Sequence, residues 1–230
     1  MDRHATIPTF TQLWWIGLIG SVIAIVFFIL LARWIKPENE KRFRYIVAIS
    51  VLLRELAWHI FLIANDEWMV AESLPLHLCG ISRLLGVVLL LKPRQLIFEY
   101  LILLGMAGAF QSFITPELTH GYHPLLVLDF YYAHSIIVFM ALYAFFVMKM
   151  KLDNWSWLRV FVFGHILLTI VGIINYFIDG NYIYLCERPL AQNPLIIGDW
   201  PYYLISFQIA ALVHIVLFSI IFIKLQKQRT

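Results

Sequence analysis

The sequence predicts an all-α polytopic membrane bundle of seven transmembrane helices, with the N-terminus outside and the C-terminus in the cytoplasm. Three observations predict it. Of the 230 residues, 62% are hydrophobic and only 13% are charged, about half the charged share of an ordinary soluble domain. Apolar runs of about 20 residues, the length that crosses a bilayer, recur along the whole chain. Between those runs the Lys and Arg residues alternate from loop to loop, as they do when loops lie on opposite sides of a membrane.

The runs are near 12–34, 45–65, 75–91, 95–113, 125–148, 157–178 and 201–223. The first has Arg3 ahead of it but no basic n-region, and no small-residue cleavage site follows, so it reads as a retained span rather than a signal peptide. The second carries Arg54, Glu55 and His59 inside its apolar sequence. The third opens on Pro75-Leu76-His77-Leu78-Cys79-Gly80-Ile81-Ser82-Arg83, which packs an imidazole, a thiol, a hydroxyl and a guanidinium into nine residues. The fourth follows after only Lys92-Pro93-Arg94, a tight helical hairpin. The fifth holds Asp129 and His134; the sixth is followed by the longest loop, about 179–200, with Cys186, Arg188, Pro189 and Pro194. No internal repeat or low-complexity segment divides the chain, which makes residues 1–230 a single integral membrane domain. The 8 Trp and 11 Tyr suit span ends, where amphipathic rings settle.

Loop charges set the orientation. Lys36, Lys41, Arg42, Arg44, Lys92, Arg94, Lys149, Lys151, Arg159, Lys224, Lys227 and Arg229 fall on one side, and only Arg3 and Arg188 on the other. The basic side is cytoplasmic by the positive-inside rule, and the strongly basic tail there requires an odd number of spans. The net charge of +3 resides in these loops and gives no sign of nucleic-acid binding. A multi-pass protein of the cell (plasma) membrane is expected.

Most intramembrane polar groups then share the outer half: His77, Cys79, Ser82 and Arg83 on span three, Arg54, Glu55 and His59 on span two, Asp129 and His134 on span five, with Gln111, Asn175 and Gln208. Glu99 is the exception, toward the cytoplasm. The charged ones among them cost roughly 2.5–3.5 kcal/mol each near a helix centre, so the group marks a polar cavity or enclosed network. Helical spacing puts Cys79, Ser82 and Arg83 on one face and turns His77 about 200° away from Cys79. Glu55 and His59, at i and i+4, are placed to hydrogen-bond. Arg54 points toward another helix, and Glu55 is expected to meet Arg83.

The segments PLHLCGISR, LLGMAGAFQSFITPEL at 103–118 and FYYAHSIIVFMALY at 130–143 resemble the YwaF family of bacterial integral membrane proteins, which is distantly similar to eukaryotic transmembrane protein 164. The resemblance covers roughly 45–220. It implies a multi-span acyltransferase that moves fatty acyl chains between phospholipids through a cysteine and a histidine. Carried onto this sequence, it gives Cys79 as nucleophile and His134 as base.

Chemistry at such a pair needs a thiolate, raised by an imidazole or a nearby cation, to attack an ester carbonyl and form a thioester. His134 and Arg83 suit those parts, Gln111 and Ser82 are candidate oxyanion donors, and Glu55, more than Asp129, is placed to orient His134. Arg54, His59 and His77 complete the supporting polar network. The substrate expected is a phospholipid or other acyl lipid, with membrane lipids as surroundings and no cofactor. No metal is expected, because His120 and His123 sit in a Gly- and Pro-containing loop rather than at the helical i, i+4 spacing of a zinc hydrolase.

Plainer readings stay open. Cys79 is also what a small packing residue looks like, or one half of a Cys79–Cys186 disulfide. His134, His165 and His214 also serve as helix-to-helix hydrogen-bonding groups. The Arg54/Glu55 charges also serve as a buried ion-pair network that fixes packing. At the level of function the alternative is a small-molecule transporter or ligand-sensing membrane protein using the same cavity, against which stand the odd span number and the missing inverted repeat.

Overall fold

The computed structural model describes residues 4–228, so Arg3 and Arg229 lie outside the described residues. The described chain is a bundle of seven helices: α1 (Gln12–Trp34), α2 (Pro37–Ala64), α3 (Leu78–Leu91), α4 (Gln95–Ile114), α5 (Pro124–Phe146), α6 (Ser156–Ile178) and α7 (Tyr203–Lys227). Six of them are long and apolar enough to cross a membrane; α3, with 14 residues, is not. The chain is a multi-pass membrane protein. Its two ends are called here basic, where the Lys- and Arg-rich loops gather, and distal.

The ends of the helices follow local sequence. Thr11 caps α1 by accepting from the Trp14 amide. Pro124 sits in the first turn of α5, where its missing N–H costs nothing. In α2 the apolar run alone misplaces the start. Pro37 opens the helix and Glu38 and Glu40 favour its positive N-terminus, so α2 begins well before residue 45 and turns the expected loop into helix. The third span departs the other way. Residues 75–77 are not helical, and α3 starts only at Leu78. At 1.5 Å per residue α3 is about 21 Å long, short of a hydrocarbon core of about 30 Å.

Non-helical backbone at that depth must be satisfied by protein. Tyr182, from the loop after α6, does this: its hydroxyl accepts from the Leu74 amide (2.8 Å) and donates to the Val70 carbonyl (2.7 Å). Asn175 at the end of α6 holds Tyr182 in turn, donating to its carbonyl and accepting from its amide. Gly80 makes the fold-back possible, since a Cβ there would lie 2.8 Å from the Pro75 carbonyl group.

Helices α4 and α5 form the centre, with 67% and 56% of their apolar windows buried against 11% to 22% for α1, α2, α6 and α7. Within α4, Leu101–Gly105 is a turn of π-helix. At the distal end a two-stranded antiparallel ribbon, β1 (Ala5–Thr6) with β2 (Glu117–Leu118), ties the N-terminal segment over the bundle. At the basic end Glu99 is fully buried and accepts from Arg159 (2.8 and 2.5 Å), Ser156 (3.0 Å) and Gln95 (2.9 Å).

Candidate functional site

The late start of α3 leaves space in the distal half of the bundle. A cavity of about 310 Å³ occupies it. Its walls are helical stripes. From α4 come Leu104, Ala107, Gly108, Gln111 and Ser112, and from α5 Leu126, Asp129, Phe130, Ala133 and His134, both at the i, i+3, i+4, i+7, i+8 spacing of one helix face. Helix α2 adds Arg54, Glu55 and Trp58, α3 adds Cys79, Gly80 and Arg83, and α7 adds Phe207, Ala210, Ala211 and His214. The π-turn overlaps the start of the α4 stripe at Leu104, and the extra residue it inserts rotates the side chains that follow relative to those before it.

Four charges line one side. Arg54 grips Asp129 of α5 with two nitrogens, Nε to Oδ1 at 2.8 Å and Nη2 to Oδ2, and also donates to Glu55 Oε1 at 3.0 Å. Arg83 Nε donates to the same Glu55 oxygen. Glu55 thus bridges α2 to α3, and Arg54 bridges α2 to α5. Glu55 is 7% exposed, and its second oxygen is buried with no hydrogen-bond partner. The Arg54 guanidinium also lies over the Trp58 ring, 5.3 Å from its centroid.

Cys79 and His134 both face this cavity, and the hydrogen bonds each makes go elsewhere. Cys79 Sγ is 3.8 Å from Ser112 Oγ, whose proton is given to the Gly108 carbonyl at 3.1 Å. The serine lone pair therefore receives the thiol S–H. His134 Nδ1 is 2.7 Å from the Phe130 carbonyl, which only accepts. The proton must sit on Nδ1, and the neutral ring presents a bare lone pair at Nε2. A backbone carbonyl, not Glu55 or Asp129, orients this imidazole. Both carboxylates are committed to the arginines.

Other expected residues separate in the same way. Ser82 does not face the cavity; it is fully buried, donating to the Leu78 carbonyl at 2.6 Å and lying 3.0 Å from the Tyr100 hydroxyl. The reason is angular: Arg83 is about 40° round the helix from Cys79 and Ser82 about 60° the other way, and the cavity lies on Arg83's side. His59 does not bond Glu55. Its Nδ1 accepts from Trp68 Nε1 at 3.1 Å, outside the cavity lining. His77 lines the cavity from the N-cap of α3, accepts from the Ile183 amide at 3.3 Å and packs edge-on against Tyr182 and tilted against Tyr184. Gln111 is held at 3.0 Å from His214 Nε2 and accepts from Asn193 at 3.2 Å. His120 and His123 do separate jobs, one near Thr119 and Trp58, the other capping α5. Cys79 and Cys186 are free thiols.

Sequence reasoning missed Ser112, Tyr182, Tyr184 and Glu117. Ser112 is signalled only by its place one residue after Gln111, on a helix whose small residues allow close approach. Glu117 lines the distal part of the cavity, 2.7 Å from His4 Nδ1 and accepting from the Ala191 amide at 2.8 Å. The hydrogen bond to Glu117 raises His4 above its ordinary pKa against the opposing effect of burial. Burial alone would raise Glu117, but the bonds from His4 and Ala191 outweigh it and hold the carboxyl below its ordinary value.

Comparison with curated proteins and with solved structures returns no match. A family comparison does match, over residues 9–219, which includes every residue of the cavity named above. It agrees with the distant similarity to transmembrane protein 164, while the YwaF family is not the one matched. The chain belongs to the TMEM164 family.

Proposed function

We propose that the protein is a membrane-embedded lipid acyltransferase or lipid hydrolase, with Cys79 as nucleophile and His134 as general base. The observation that supports this most is the lining of the cavity: a thiol, an imidazole with a bare Nε2 and the Arg83 guanidinium face one space. Substrate binding turns the thiol from Ser112 toward His134, a tightening common where catalytic bonds are loose before substrate arrives. His134 Nε2 takes the S–H proton as Sγ attacks the ester carbonyl carbon. The ester C–O bond breaks, and His134 returns the proton to the departing lipid hydroxyl. An acceptor hydroxyl, or water for hydrolysis, then gives its proton to His134 and attacks the thioester, freeing the thiol. Arg83 offsets negative charge on the sulfur and on the carbonyl oxygen. In this reading the chamber opens on the extracytoplasmic side of the plasma membrane, a placement that the Lys- and Arg-rich loops at the opposite end support.

The test is lipid profiling of cells that carry wild type, Cys79→Ala or His134→Ala, with acyl-probe labelling of the purified proteins. The reading expects at least a hundredfold loss of remodelling and of labelling for Cys79→Ala, and a tenfold or greater loss for His134→Ala. Full remodelling by Cys79→Ala ends it. A second reading, transport or sensing of a small ligand without covalent chemistry, is favoured by the contact of Cys79 with Ser112 instead of His134. Ligand-induced stabilisation or flux that survives Cys79→Ser distinguishes it.

A further inference from the structure

A second cavity, of about 60 Å³, lies between α4, α6 and α7. Its walls are nearly all apolar, with Val160, Leu167 and Leu168 from α6 and Ile215 from α7. It shares Leu78, Leu104, Ile183, Phe207 and Ala211 with the polar chamber. Those five side chains line both spaces, so the apolar slot adjoins the compartment of Cys79, and Leu78 is the neighbour of Cys79 in sequence. Gly164 keeps the slot open, since a Cβ there would come within 3.2 Å of Leu104 Cδ2. From Val160 to Leu168 the slot follows α6 for roughly 12 Å. On its rim His165 Nε2 lies 2.9 Å from the Gln208 side-chain amide, a hydrogen bond that joins α6 to α7.

We propose that this slot marks the entry of one acyl chain of the lipid whose ester is held in the polar chamber: its present volume takes only a few methylenes, so the chain parts α6 from α7, breaking the His165–Gln208 bond, as it passes in from the bilayer. The inference rests on the acyl-transfer reading for what the chamber holds. Three features favour an acyl chain. Space with so few polar partners does not hold ordered water. The slot joins the chamber beside the thiol. Its walls are as apolar as lipid tails, so a chain moves in without a change of surroundings while its ester reaches polar groups.

The test is photo-crosslinking of full-length Cys79→Ala protein, in which turnover cannot consume the probe. The protein is placed in phosphatidylcholine nanodiscs doped with a phosphatidylcholine carrying a diazirine midway along one acyl chain. Labelling is expected to concentrate on the segments around Gly164–Leu168 and Ala211–Ile215, several-fold above α1. Leu168→Trp and Gly164→Phe, each added to the Cys79→Ala background, are expected to cut it at least fivefold; if Gly164→Phe does not fold, Leu168→Trp decides. Even labelling across the lipid-facing surfaces of α1 and α2, or slot labelling unchanged by filling, overturns the proposal. The two readings fail separately. Remodelling that survives Cys79→Ala with slot labelling intact removes the catalysis and leaves a lipid-binding slot. Remodelling that depends on Cys79 without slot labelling does the reverse.

Discussion

Glu55 carries more of the site than its neighbours do. One of its oxygens takes hydrogen bonds from Arg54 and Arg83, and the other is buried without a partner. Removing one partner from a buried pair strands a charge and costs about 3–5 kcal/mol, whereas replacing both with apolar groups is often near neutral. Arg83→Met is therefore expected to lower thermal stability in detergent strongly, and Arg83→Met with Glu55→Met to recover most of the loss, because Arg54 keeps both bonds to Asp129. A double variant no more stable than the single one refutes this. The Glu55–Arg83 contact was legible from sequence, since two opposite charges inside apolar runs must find each other. The partner of Cys79 was not. Ser112 and His134 both suit a thiol, and only the rotation of α4 after its π-turn brings Ser112 to the sulfur.

At the scale of elements, α1 is held to the centre by a close approach to α5. A Cβ on Gly17 would fall within 2.0–2.5 Å of the Tyr131 ring, whereas one on Gly20 would meet nothing within 4 Å. Gly17→Leu is expected to destabilise by about 1–3 kcal/mol, and Gly20→Leu by less than about 0.5 kcal/mol, in denaturant or thermal unfolding of the purified protein. Equal effects would show that the α1–α5 contact does not govern docking. Element positions were largely legible, because a run of 20 apolar residues leaves the backbone no choice but helix. The two misread starts have separate causes. Polar residues before residue 45 are helical because Pro37 and the acidic first turn favour it, which hydropathy does not register. Pro75, Leu76 and His77, at the start of an apolar run, are not helical: Tyr182, distant in sequence, holds the preceding backbone at Val70 and Leu74 instead.

For the whole molecule, the distal end is a lid built from the N-terminal segment, the α4–α5 loop and the α6–α7 loop, joined at Glu117. Its stability depends on pH through two groups. The raised His4 contributes fully below about 6.5 and loses its contribution as pH rises through its folded value; the lowered Glu117 contributes above about 4.5 and loses it as pH falls through its folded value. The clasp is strongest between those limits. Hydrogen exchange at Ala5–Ile7, corrected for intrinsic rate, is expected to be slower at pH 5.5 than at pH 9, and His4→Ala to remove most of that difference. The overall bundle was readable in the sequence, but this lid was not, since its contacts join residues 74 to 113 positions apart. The shortness of α3 has one more consequence. With the hydrocarbon edge placed at the Leu90 carbonyl, where Arg44 donates at the basic end, Cys79 stands about 17 Å above that edge. In a hydrocarbon layer of about 30 Å the sulfur is then about 13 Å beneath the opposite surface. That depth belongs to the bilayer as much as to the protein: under the proposed acyl transfer, each ångström by which the surrounding lipid thins brings the plane of its esters an ångström nearer the thiol, and membrane thickness becomes a control on the site that no side chain supplies.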